Sequence, residues 1–191
     1  MIVLGIDPGT RNLGWGVVHR AGNRLSHVAH GVIRVRAEDS LSARLSEIAQ
    51  RLDEVIAAHK PSCGSVEQIF FHKDPQAAAK LGHARGVILL CLHRADVALR
   101  EHAPARVKRT LTGNGQAEKP QVAQMVKAVL GLSALPPSDA ADALALAITE
   151  LRLDPGAVAR EDARKSNLRK KIPVHLAEAL ARTQARRALS K

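Results

Sequence analysis

Four carboxylates stand where an ionised group is hard to keep. Asp7 ends an apolar run formed by Ile2, Val3, Leu4 and Ile6, which reads as a buried strand. Glu67 lies between Val66 and Ile69 in a later strand candidate. Taking a charge out of water costs several kcal/mol after relaxation, so something cationic is expected beside each. Asp139 and Asp142 are three apart on a helix and share one of its faces. Acids gathered in this way raise one another's pKa, and a divalent cation relieves the repulsion. Oxygen donors without His or Cys favour Mg²⁺ or Mn²⁺ over zinc. Ordinary ion pairing is the competing explanation. Asp139 and Asp142 could be partners of a helix dipole, and Glu67 could pair with Arg85 or Lys80. A helix dipole does not account for Asp7 and Glu67.

The elements that must carry these acids follow from pattern. Pro8 and Gly9 turn the first strand into a second apolar run from Leu13 to Val18, and Leu25 to Val35 is a third strand entered through Gly22 and Asn23. Leu41, Leu45, Ile48, Leu52, Val55 and Ile56 recur at helical spacing, with Asp39 or Ser40 as cap. Lys60 to Cys63 close that helix, and Ser65 to Phe71 resumes a strand. Asp74 and Pro75 open a long helix running towards Arg100. Its small residues Ala78, Gly82 and Gly86 form a stripe expected to pack on the sheet, with a dimer contact as the alternative. Pro104 to Val107 is expected as a short last strand, followed by a polar connector through Lys108, Arg109 and Gly113 to Gly115. A helix from Lys119 and Pro120 stops at Gly131, and Ser138 caps a last helix that buries Leu144 and Ile148. This order gives an α/β fold with a mixed sheet.

Bulk properties narrow the partners. The chain has 191 residues and a formal net charge of +11. Residues 151–191 hold eleven Lys/Arg against four Asp/Glu, so most of the excess sits in a basic tail. Such a balance favours a polyanion, above all nucleic acid. Trp15, Phe70 and Phe71 are the only aromatics, too few for a platform that stacks several bases. Cys63 and Cys91 lack metal-ligand spacing and suit a reducing cytosol, while the histidines, His72 and His83 among them, read as surface or packing residues. Neither a charged-then-apolar leader nor a run of about 20 apolar residues is seen, so secretion and membrane insertion are not expected.

The stretches LGIDPGTRNLGWGVV, SVEQIFFHKD, KLGHARGV, GNGQAEKPQV and SDAADALALAI resemble, in order, the RuvC crossover-junction endodeoxyribonucleases of bacteria. The resemblance spans roughly residues 1 to 150. It implies a ribonuclease H-like fold with a mixed five-stranded sheet, over residues 1–155, followed by the tail 156–191. It also implies a cytoplasmic homodimer that resolves Holliday junctions in DNA recombination and repair, alongside the RuvA-RuvB branch-migration machinery. The four catalytic and metal-binding acids fall on Asp7, Glu67, Asp139 and Asp142, with two Mg²⁺ per site and Mn²⁺ as a substitute. A two-ion site hydrolyses a phosphodiester without a protein nucleophile. Asp7 would bridge the ions, and cleavage would leave 5′-phosphate and 3′-hydroxyl ends. Phe70 falls at the position of the aromatic placed against junction bases, and Lys108 and Lys119 at the basic junction contacts. Asp74 departs from the Asn expected after the aromatic.

Three alternatives share features with this reading. An actin-like or sugar-kinase ATPase also opens with an Asp-x-Gly-Thr turn but needs a second such motif. A non-catalytic DNA-binding relative would not need the four acids. Another ribonuclease H-like nuclease, such as one cutting RNA in hybrids, would differ in substrate.

Overall fold

The structure is a computed structural model that describes residues 1–68 and 75–153. Strands β1 (Ile2–Asp7), β2 (Asn12–Ala21) and β3 (Arg24–Arg34) form an antiparallel meander. Helix α1 (Leu41–His59) leads to β4 (Cys63–Glu67), and α2 (Pro75–Arg94) leads to β5 (Ala98–His102). Three helices follow: α3 (Pro104–Thr112), α4 (Lys119–Leu130) and α5 (Ser138–Arg152). The five strands lie in the order β3-β2-β1-β4-β5, with β4 parallel to both β1 and β5. The expected mixed five-stranded α/β architecture is therefore present.

Strand alternation sends side chains to two different cores. Leu4, Ile6, Leu13 and Val17 point to one face and meet Ile48, Leu52 and Ile56 of α1 and Ile88 and Leu92 of α2. Val3 and Val18 point to the other and meet Leu144 and Ile148 of α5, with α3 and α4 beyond. Local chemistry sets the boundaries. Gly22 at φ 58 makes the β2–β3 turn, Ser40 Oγ accepts from the Ala43 amide at 3.2 Å to cap α1, and Lys60 at φ 45 ends it. Glu118 and Gln121 form a capping box at the start of α4, and Gly131 at φ 62 stops it.

Several expectations are corrected. Pro104–Val107 is no strand but the first turn of α3, where Pro104 suits the first helical position and Val107 and Leu111 share the buried face. The last strand is β5, and α2 ends at Arg94 rather than near Arg100. Alternation in β5 is inverted, because its inward residues include Arg100 and His102, and apolar periodicity therefore passes over it. The small-residue stripe of α2 does not pack on the sheet, since a Cβ added at Gly82 or Gly86 would meet nothing within 4 Å. Helix α5 begins with the Pro137 carbonyl accepting from the Ala141 amide at 2.8 Å, so Ser138 is its first residue and not its cap. The expected extension of β4 to Phe71, together with Phe70, Asp74 and the tail from residue 154, lies outside the described residues.

Candidate active site

Asp7 and Glu67 are the last residues of two neighbouring parallel strands, and the Ile6–Val66 register sets them side by side. Both belong to the set of residues that faces α5. Why α5 comes so close is written in β1 and β2. Gly14 is the register partner of Asp7, and a Cβ on it would lie 2.0 Å from the Asp139 carbonyl oxygen. Gly5 is equally tight, 1.8 Å from the Ala143 oxygen. Only hydrogen at these two positions lets the helix backbone rest on the strands. The first turns of α5 thereby stand beside the end of β1, carrying Asp139 and Asp142 with them.

One cleft is lined by Asp7, Glu67 and Asp142 together with Lys108 and Lys119, and walled by apolar side chains such as Val122 and Leu146. Asp139 does not line it, yet its charge acts on Asp7. The Asp7 carboxyl is raised to about 7, first by burial, then by the negative charges of Asp142 and Glu67; Lys119 opposes the rise and Asp139 adds to it. Lys119 Nζ donates to Asp142 Oδ2 at 2.8 Å. That bond, aided by the charges of Asp142, Asp7 and Glu67, raises the Lys119 amine, while partial burial works against the rise. Arg85 Nη1 donates to the main-chain oxygen of Glu67 at 2.8 Å, and its Nη2 pairs with Glu101, which anchors the end of β4. Among the described residues no three His, Cys, Asp or Glu side chains are already drawn together around a single point, and Asp142 is bonded to the Lys119 ammonium instead. The acids are near enough to shift one another, with an ammonium among them.

Sequence reasoning passed over Gly14 and Gly5 as seats for α5. The alternating glycines of Gly14-Trp15-Gly16 on a strand were the available signal, because glycine within a strand marks a close approach of another backbone.

A mixed sheet in this order, with acids at the carboxyl ends of β1 and β4 and on a helix laid across them, is a ribonuclease H-like arrangement with an acidic cleft. Comparison with known proteins narrows the class. The family model described as crossover junction endodeoxyribonuclease RuvC matches residues 3–150. The crossover junction endodeoxyribonuclease RuvC of Sorangium cellulosum is 59% identical over 151 residues, covering 79% of this chain and 84% of that protein. A solved structure of T. thermophilus RuvC in complex with Holliday junction substrate is 37% identical with a TM-score of 0.75, covering 79% of this chain and 93% of that one. The yeast mitochondrial Holliday junction resolvase Ydc2, 14% identical with a TM-score of 0.59 over 78% of each chain, shares the fold. The chain belongs to the RuvC crossover junction endodeoxyribonuclease family.

Proposed function

We propose that this protein cuts four-way DNA junctions by metal-dependent hydrolysis of a phosphodiester on each of two symmetry-related strands. The observation that carries the reading is the convergence of Asp7, Glu67 and Asp142, from three elements, in a cleft that also holds Lys108 and Lys119. The donor chemistry fits a hard divalent cation. The acids are all oxygen donors, and Asp7 is driven to about 7 by burial and by its fellow acids, a repulsion that two added positive charges relieve.

Asp7, Glu67, Asp139 and Asp142 would hold a pair of Mg²⁺ ions, with Mn²⁺ able to replace them. Such a pair, when bound, polarises the scissile phosphate, provides the attacking water in activated form and stabilises the leaving 3′ oxygen. For the acids to close on these charges Lys119 must release Asp142, and its ammonium is then free to meet a phosphate. Lys108, on the same cleft, offers a second phosphate contact; both lysines strengthen binding without reading bases. Val122 and Leu146 keep one wall apolar, which concentrates the field of the charged groups.

A four-way junction is two-fold symmetric, so a homodimer would place one cleft on each of two equivalent strands. The exposed glycines of α2 and the neighbouring Leu90, 54% exposed, support a second copy as the cover of that face. Gly82→Arg should shift sedimentation from dimer to monomer; an unchanged dimer would remove α2 from the interface. Phe70 is proposed to stack on junction bases, a contact worth about 1–3 kcal/mol, so Phe70→Ala should weaken junction binding by about 5- to 150-fold. RuvA and RuvB are the proposed partners on the junction, testable by co-sedimentation.

The deciding experiment offers a synthetic four-way junction and a linear duplex to wild type and to Asp7→Asn, with Mg²⁺ or with chelator. Paired symmetric nicks in the junction that require Mg²⁺ and vanish in Asp7→Asn are expected. Junction cleavage that survives in Asp7→Asn would refute the site.

A further inference from the structure

Away from the cleft, the side of the sheet that faces α5 carries a second group of ionisable side chains, and these are buried. Arg100 and His102 of β5 are 7% and 5% exposed, and Glu150 of α5 is 2% exposed. His102 Nε2 lies 2.9 Å from Glu150 Oε2, and Arg100 Nε lies 3.6 Å from Glu150 Oε1. Buried ionic groups of this kind are often matched or surpassed in stability by apolar residues of similar volume. Stability alone does not account for the cluster.

Its placement does. His102 is the register partner of Glu67, and the His102 carbonyl accepts from the Gln68 amide at 2.9 Å, so the end of β5 holds the main chain that presents Glu67. Glu150 belongs to the helix that presents Asp139 and Asp142, eight residues after Asp142 and about 12 Å further along the axis. Between these levels Ser65 Oγ donates to the Leu146 carbonyl at 3.0 Å. Helix α5 is therefore tied to β4 and β5 by polar contacts at two heights. The apolar contacts between them are non-directional and would tolerate a slide or a rotation. A hydrogen-bonded buried carboxylate would not, because moving the helix leaves that charge unpaired in the core.

We propose that Glu150 and His102, with Arg100, are positioning residues that set the axial position of α5 against β4 and β5, and so hold Asp139 and Asp142 at the spacing from Glu67 that metal binding requires. The inference rests on the nuclease reading of the cleft.

The test replaces the cluster without leaving a lone buried charge, as Arg100→Met/His102→Leu/Glu150→Leu. Should this variant fail to melt cooperatively, Glu150→Asp, which shortens the arm by one methylene, takes its place. Three quantities are compared with wild type: junction affinity in chelator, the rise in melting temperature caused by Mn²⁺ or Mg²⁺ without DNA, and the cleavage rate at saturating junction against metal concentration. Junction affinity within twofold of wild type, a metal-induced rise at least halved and a cleavage rate at least tenfold lower are expected. A folded variant with an unchanged metal-induced rise and a rate within twofold of wild type would overturn the proposal. Wild-type protein that fails to cut the junction at all would instead overturn the nuclease reading, and the metal-induced rise would still decide whether the cluster positions the acids.

Discussion

Lys119 Nζ donates a 2.8 Å hydrogen bond to Asp142 Oδ2, joining the first residue of α4 to the second turn of α5. The lysine side chain is 74% exposed, so solvent screens the pair and limits its worth to about 1 kcal/mol. Lys119→Met should accordingly strengthen Mn²⁺ binding in the absence of DNA by up to about fivefold, read by calorimetry. The same substitution should weaken junction binding and lower its salt slope by about one. Metal affinity that falls in Lys119→Met would show that the ammonium assists loading rather than competing with it.

The raised carboxyl of Asp7 makes the metal-free protein sensitive to pH. In the unfolded chain this group loses its proton near 3.8, whereas in the folded protein it keeps it to about 7. Between these values the folded state binds the extra proton, so stability falls as pH rises through the window and the loss is complete above it. Asp7→Asn lacks this loss, on the order of a few kcal/mol. Without metal the variant should melt higher than wild type at pH 8, and the two should converge near pH 4. Addition of Mg²⁺ at pH 8 should raise wild type and leave the variant nearly unmoved. Parallel melting curves of the two proteins across this range would contradict the electrostatic account of the cleft.

Gly14→Ala places a methyl 2.0 Å from the Asp139 carbonyl oxygen. The helix must move, at a cost of about 1–3 kcal/mol typical of overpacking. Because the displaced turn carries Asp139, cleavage should fall at least tenfold more than junction binding does. Gly64→Ala is the control, since its added Cβ meets only the flexible end of Leu92, on the opposite face of the sheet. It should lower the melting temperature with little change in the cleavage rate of folded protein.

The basic tail lies outside the described residues, but its charge alone makes a prediction. Deleting residues 156–191 removes most of the net positive charge and should flatten the dependence of log Kd on log salt, with cleavage at low salt retained. An unchanged slope would mean that the tail does not touch DNA.

What the sequence revealed, and what it hid, divides along physical lines. The acids were legible because a charge at the end of an apolar strand is costly and rare, and because Asp139 and Asp142 obey the helical spacing. Strand β5 was not, since it turns Arg100 and His102 inward, and period-two hydrophobicity cannot register a strand whose core side is polar. Helix α3 was mistaken for a strand because only Val107 and Leu111 mark its buried face over nine residues. The close seating of α5 depends on hydrogen atoms at Gly5 and Gly14, which pattern records only as missing side chains. Five ordered motifs carry the family resemblance independently of this geometry.

Helix α5 is buried from Ala140 to Leu151 apart from Asp142, with five alanines among its inward positions and strand backbones against it. Enclosed in this way and tied to the sheet by Ser65 and by the His102–Glu150 contact, the helix has no loose side along which to give way. The acids it carries therefore behave as part of the sheet, and a junction brought to the proposed site would do the bending itself: the strained partner would be the DNA, whose flexible steps would decide which phosphates can reach the cleft.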